Sequence, residues 1–328
     1  MTTAALTLRA EGRIPALDGA TCWLNSEPLT PEALRGRVVL VEFWTYTCIN
    51  WLRTLPYVRA WGEAYRDRGL VVVGVHTPEF SFERDVGNVR HAVENRGIHF
   101  PVVLDSDYAI WQAFANRYWP ALYFVDGSGR IRHHMFGEGN YDVSEQVIRQ
   151  LLDEAGVTVL DQPLVSVMAD GVEAPADWPD LRTGETYLGA DRRSGFASPA
   201  PQPARGRRYT VPPNLRLGDW ALDGSWEVRS EAVALEEPDG RIVFRFHARD
   251  LHLVMGPVAR GTSVPFRVRL DGQPPGEAHG DDVDDQGDGV VADQRLYQLI
   301  RQPLPVRDRL FEIEFSAPAV QALVFTFG

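Results

Sequence analysis

Residues 44–57 read WTYTCINWLRTLPY, and this stretch decides how the first half of the chain folds. Residues 37–44, RVVLVEFW, lead into it as a continuous apolar run, the pattern of a strand covered on both faces. Beyond it, Leu52, Leu55, Val58, Trp61 and Tyr65 recur at helical spacing over 49–68. Between strand and helix stands a cysteine, Cys48. A thiol at such a turn meets unpaired N–H groups and the positive end of a helix dipole, which lower its pKa and make it reactive. Glu42 lies six residues earlier among apolar neighbours, where a buried carboxyl can accept a proton. Three residues after Cys48, where a two-thiol site would hold its second sulfur, the chain has Trp51.

Outward from this turn, residues 1–156 alternate strand and helix patterns. LVVVGVH (70–76) is a second buried strand, SFERDVGNVRHAVENRG (81–97) a helix ending at Gly97, and FPVVLD (100–105) a short strand. YAIWQAFAN (108–116) is a short helix, ALYFVDGSGRIRHHMF (121–136) a hairpin around DGSG, and VSEQVIRQLLDEAG (143–156) a closing amphipathic helix. This order predicts an α/β domain with a sheet of mixed direction. Residues 157–185 read as an irregular linker. From 186 to 328 a second domain is expected, in which short alternating strands separated by turns predict an all-β sandwich, jelly-roll-like.

The bulk numbers exclude several functions. With 328 residues, each of two domains can bury its own core. A net charge of −12 argues against nucleic acid as a partner. All 33 basic residues are Arg, so no lysine can form a Schiff base. Two cysteines, Cys22 and Cys48, make no disulfide framework. No run of about 18 apolar residues is long enough to span a membrane, and the N-terminus shows no secretory pattern. As written the chain is expected in the cytoplasm.

Further along, NRYWPALYFVD places Pro120 just before a strand. Together with WLNSEPLTPEALRGRVVLVEFWTYTCIN, GVHTPEFSFE, YWPALYFVD and GEGNYD, this resembles the thioredoxin-like redoxin group, and within it the C-terminal soluble part of DipZ-type proteins. The tail, FRFHARDLHLVMGP to FEIEFSAPAVQALVFTFG, is similar to the β-sandwich of that family, which resembles a carbohydrate-binding module.

The resemblance implies a thioredoxin fold, Cys48 as attacking thiol, Pro120 as a cis proline facing it, and Glu42 as the buried acid. It implies that Trp44, Tyr46 and Trp119 flank the substrate. It also implies partners: a disulfide- or thiol-containing protein or a low-molecular-weight thiol, a membrane electron-transfer domain, and a glycan. In a DipZ-type protein this region would be extracytoplasmic.

Trp51 departs from the family pattern. Without a local second thiol, a mixed disulfide on Cys48 needs another sulfur to release it. Single-thiol exchange or isomerisation is the expected activity; a redox-inactive binding module for protein or glycan is the alternative. A peroxidase is less well supported: Thr45 stands three residues before Cys48 as required, but Val41 replaces the proline expected at minus seven. Cys22, in DGATCWLNSEPL, reads as part of a hairpin; it is either a small buried hydrophobe or a resolving thiol. No organic cofactor is expected. In HGDDVDDQGDGVVAD (279–293), Asp282, Asp284, Gln286 and Asp293 fall at positions 1, 3, 5 and 12 of a calcium-loop template, with the flanks reading as strands. Trp220, Trp226 and Tyr297 read either as core or as a sugar-stacking platform.

Overall fold

A computed structural model of the chain describes residues 6–159, 163–200 and 208–328. The chain divides into two compact units, Met1–Glu173 and Ala174–Gly328.

In the first unit the strands are β1 (Gly12–Arg13), β2 (Cys22–Leu24), β3 (Val38–Trp44), β4 (Leu70–His76), β5 (Val102–Leu104), β6 (Ala121–Val125) and β7 (Arg130–Phe136). The helices are α1 (Ile49–Tyr65), α2 (Val86–Asn95), α3 (Ala109–Ala113) and α4 (Tyr141–Glu154). The sheet runs β1-β7-β6-β3-β4-β5-β2, with β3, β4 and β5 parallel and the rest antiparallel. This is a thioredoxin fold. All seven residues of β3 are buried, as its unbroken apolar run requires of a central strand. One face packs Val38, Leu40, Val58, Trp61, Leu122 and Ile148 under α1 and α4; the other gathers Val39, Val41, Phe43, Val73, Ile110 and Tyr123.

Two expectations need correction. The helix expected over 81–97 is broken: Ser81–Arg84 form a short 3₁₀ turn, and Asp85 caps a new helix by accepting from the N–H groups of Gly87 and Asn88. Cys22 is not in a hairpin. It lies on the edge strand β2, which pairs with β5, eighty residues away in the chain. After α4, Val159 joins the core, and the Val165 N–H donates to the Glu145 carboxylate at 3.0 Å, so these two residues pack on the first unit.

In the second unit the strands are β8 (Thr186–Tyr187), β9 (Arg208–Tyr209), β10 (Trp220–Val228), β11 (Val233–Leu235), β12 (Gly240–Phe246), β13 (Asp250–Pro257), β14 (Val264–Leu270), β15 (Asp288–Val291), β16 (Arg295–Arg301), β17 (Arg309–Phe315) and β18 (Val320–Phe327). The two layers are halves of one antiparallel sheet, β15-β14-β17-β12-β10-β11-β18-β13-β16. Residues 220–223 of β10 pair with β12, and residues 226–228 pair with β11. Gly224, at φ +99°, sits where the strand changes layer; a Cβ there would lie 3.1 Å from the Gly240 Cα. Phe244 and Phe325 stack across the core at 5.0 Å, joining the two layers.

Candidate functional site

Cys48 is the N-cap of α1, with extended backbone (φ −74°, ψ 115°), and is half-buried. The strand β3 delivers the chain to this point, and the apolar stripe of α1 fixes the departing helix: Leu52, Leu55, Val58 and Trp61 are fully buried. Opposite Cys48, the Trp119–Pro120 peptide is cis, and the Cys48 Sγ lies 3.8 Å from the Trp119 carbonyl oxygen. Pro120 opens β6, and its carbonyl accepts from the Gly137 N–H at 2.9 Å. Trp119 is half-buried, its ring packs tilted against Trp111 at 4.3 Å, and its indole N–H donates to the Thr77 carbonyl at 3.1 Å. The structure therefore brings Cys48, Trp119 and Pro120 into one place from segments 71 residues apart.

Beneath the turn lies a buried polar cluster. Glu42 is fully buried, pairing across the sheet with Gly74 and Leu122. Neither of its oxygens has a hydrogen bond of normal geometry. Burial pushes its carboxyl up to about 8; the Trp51 indole N–H, facing it, offsets only part of that rise. Trp51 is fully buried and stacks on Trp44 at 4.4 Å. Trp44 lies over Gly74, where a Cβ would come within 2.8 Å of its Nε1. His76 is also fully buried, with neither ring nitrogen hydrogen-bonded, and burial lowers its pKa to about 3, so it is neutral. It stacks on Tyr46 at 5.8 Å and meets Trp44 edge-on at 4.8 Å.

Two site assignments change as a result. Trp44 (0% exposed) and Tyr46 (7%) form the floor of the site and offer almost no surface to a substrate. Of the three aromatics expected to flank it, Trp119 alone is placed to do so. Cys22 is not brought near Cys48. Its row of the sheet runs Trp44, His76, Leu104, Cys22, three strand spacings or roughly 14 Å from the strand that leads to Cys48. A disulfide needs Cα atoms within about 7 Å, so Cys22 cannot resolve Cys48 without rearrangement of the sheet.

Sequence reasoning missed Glu83. It is fully buried, 36 residues from the cysteine turn, yet one oxygen accepts from the Thr47 N–H (3.3 Å) and hydroxyl (2.7 Å). The other accepts from the N–H groups of Glu79 (2.6 Å) and Phe80 (2.9 Å). TPEFSFE carries no capping-box signal, since the residue three before Glu83 is Phe80 rather than Ser or Thr, and nothing local shows that this carboxylate reaches Thr47.

In the second unit, the calcium-template residues are not gathered around a common point. Asp282 accepts from Arg295 (2.6 Å) and the Gln298 N–H (2.7 Å), and Asp284 accepts from the N–H groups of Gln286 and Asp288. The Gln286 side chain turns to Asp285, and the Asp293 backbone pairs with the Tyr297 hydroxyl. No cluster of three or more His, Cys, Asp or Glu suited to a metal occurs among the described residues. Trp220, Trp226 and Tyr297 are all buried core residues, so they form no sugar platform.

Fold and site together define a thioredoxin-type thiol site, and the comparisons agree. Residues 16–134 match the AhpC/TSA family and residues 183–328 match the thioredoxin like C-terminal domain. The thiol-disulfide oxidoreductase YkuV of Bacillus subtilis is 31% identical over 141 residues, 43% of this chain and 95% of YkuV. The chain belongs to the thioredoxin-like thiol–disulfide oxidoreductase family. Within it, the chain is similar to Protein DipZ of Mycobacterium tuberculosis, 39% identical over 274 residues, 82% of this chain. The match spans 38% of the DipZ chain, under two-fifths of its length. A solved thioredoxin-like protein in the oxidized form is 33% identical, covering 45% of this chain and 99% of its own, with a TM-score of 0.41.

Proposed function

We propose that this chain carries out thiol–disulfide exchange or isomerisation through Cys48 alone. The observation that carries the reading is the joining of Cys48, at the start of α1, to the Trp119 carbonyl beside Pro120, while the resolving position is filled by the buried Trp51. In the forward step the Cys48 thiolate attacks one sulfur of a client disulfide. A mixed disulfide forms on Cys48, and the client's other sulfur leaves as thiolate and takes up a proton. Release requires further thiolate: the client's own (isomerisation), or two equivalents of a low-molecular-weight thiol (net reduction). In net reduction the first equivalent displaces the client as a free dithiol and leaves its sulfur on Cys48; the second frees Cys48 and ends as the small thiol's own disulfide. The helix start favours the thiolate form of Cys48. Trp51 supplies no sulfur.

A membrane electron-transfer protein is a reasonable source of reducing thiols, by likeness to DipZ-type proteins. The test is to incubate the protein with a peptide disulfide and follow adducts by mass spectrometry. A mixed disulfide should accumulate on Cys48 and disappear when glutathione is added. Insulin should not be reduced at a thioredoxin-like rate with dithiothreitol. Absence of any adduct on folded protein, while denatured protein reacts, would favour a redox-inactive binding module.

A further inference from the structure

We propose that Glu83 is the positioning residue of the thiol site: its carboxylate locks the Cys48 turn to the loop that holds Trp119. The proposal rests on the thiol-exchange reading above and adds what fixes its geometry.

Four hydrogen bonds tie Glu83 to two segments. Thr47, immediately before Cys48, gives its N–H and hydroxyl to one oxygen of Glu83. Glu79 and Phe80, on the loop after β4, give their N–H groups to the other. The same loop begins at Thr77, whose carbonyl receives the Trp119 indole N–H and whose hydroxyl donates to Asp105 at 3.2 Å. Asp105 in turn accepts from the N–H groups of Ile110 and Trp111, and the Trp111 ring packs against that of Trp119. Sulfur and Trp119 thus reach each other through two routes. One is the direct approach of Sγ to the Trp119 carbonyl. The other runs from Thr47 through Glu83 to the 77–80 loop and then to the Trp119 ring.

Only a carboxylate fits this place. All four contacts are donors, so the group must accept on both sides. A glutamine offers one accepting oxygen and turns an NH₂ towards two N–H groups. The carboxylate is wholly buried, so no solvent replaces what a variant loses. Burial raises its pKa to about 7, and the hydroxyls of Thr45 and Thr47 and the Phe80 N–H offset only part of that rise. An alignment error of about 1 Å at a reacting centre can slow a reaction roughly 100-fold, so a clamp on residue 47 acts directly on the sulfur one residue later.

The experiment uses the full chain and the variants Glu83→Gln, Thr47→Ala and Thr47→Ser. Two rates are measured: alkylation of Cys48 by iodoacetamide, a small reagent that needs no alignment, and exchange of Cys48 with a peptide disulfide, which must lie along Trp119. Glu83→Gln should slow peptide exchange about tenfold or more, with alkylation changed less than about threefold. Thr47→Ala should act in the same direction but less, and Thr47→Ser, which keeps the hydroxyl, should behave as wild type. Hydrogen exchange should rise in the segments 45–50, 76–82 and 117–121 of Glu83→Gln and stay unchanged in β3 and β4. Equal loss of both rates, wild-type behaviour of Glu83→Gln, or equal impairment by Thr47→Ser and Thr47→Ala would overturn the proposal. If Glu83→Gln does not fold, the Thr47 pair decides. If wild-type Cys48 forms no adduct at all, the exchange reading falls, while hydrogen exchange still judges the clamp.

Discussion

Glu42 and Asp250 are two carboxylates at almost the same depth, 0% and 1% exposed, and they behave in opposite ways. Glu42, behind the cysteine turn, has no partner of good geometry and is raised to about 8. Asp250, at the start of β13, is also penalised by burial, but Arg301 (2.7 Å) and Arg249 (2.6 Å) outweigh it and hold the carboxyl below its ordinary range. Its backbone is tied as well, exchanging N–H and carbonyl bonds with Gly328. Burial alone therefore does not decide the charge state; charged partners do, since Glu83, met by several donors but no cation, is still raised to about 7. Where only the fold is at stake the chain has surrounded its buried charge. Next to the reactive cysteine it has left His76 and the Trp44 indole without a hydrogen bond, and Glu42 with no donor but the Trp51 indole that faces it. Proteins tolerate such unmet polar groups chiefly where chemistry needs them.

The strongest way to break this contrast is to remove the satisfied carboxylate. Asp250→Ala leaves two arginines without their shared partner, and breaking a buried ion pair costs about 3–5 kcal/mol. Urea unfolding of the second unit should show a loss of that size. A loss below about 1 kcal/mol would mean that Asp250 is no better supported than Glu42.

Glu42→Gln should have the opposite sign, and its size should depend on pH. The native pKa lies above the unfolded value of 4.5. Between these values the unfolded chain has released a proton that the native state still holds, so stability falls as pH rises from about 4.5 to about 8. Glutamine has no such penalty. The variant should match wild type near pH 4.5 and exceed it by on the order of 3 kcal/mol near pH 8. A constant difference across that range would show that Glu42 keeps one charge state throughout.

Trp51→Cys sharpens the contrast on the catalytic side. The turn, the helix and Pro120 are all in place, so a second thiol at 51 should form a disulfide with Cys48 and raise insulin reductase activity about tenfold or more. If the restored pair does not oxidise, the backbone at the start of α1 does not present residue 51 to the sulfur. The space left by the indole will also cost stability, which thermal unfolding reads separately.

The fold was legible because its signals are local. An unbroken apolar run marked β3 to within one residue of its observed bounds, and a 3.6-residue stripe marked α1 to within three. The errors arose where a distant or competing contact wins. Asp85 restarts a helix because its side chain accepts the first free N–H groups. Cys22 joins β5 through a pairing that nothing near it announces. The site was half legible: Cys48, Pro120 and Trp51 stand in a recognisable pattern. The role of Glu83 depends on a tertiary hydrogen bond to Thr47, and the burial of Trp44 and Tyr46 depends on α1 closing over the sheet.

The smallest expected effect concerns calcium, and it extends the same contrast to the acidic loop. Five aspartates between 281 and 288 and 293 suggest a charge surplus that a cation would relieve. The fold has already assigned partners to those that matter. Asp282 takes Arg295 on one oxygen and the Gln298 N–H on the other, and the Arg295 guanidinium also lies 3.7 Å over the Tyr297 ring. Asp288 is paired with Arg267, and Asp284 closes its own turn. Six or more oxygens at about 2.4 Å would be needed around calcium, and the ion would have to displace Arg295 to reach Asp282. The loop thus resembles Asp250, with its carboxylates met by protein donors, more than it resembles Glu42. Millimolar calcium should shift the melting temperature by less than about 1 °C, since binding stabilises only in proportion to occupancy. A shift of several degrees, abolished by Asp282→Asn and Asp284→Asn together, would show that the arginine gives way to the ion and that this loop is a metal site after all.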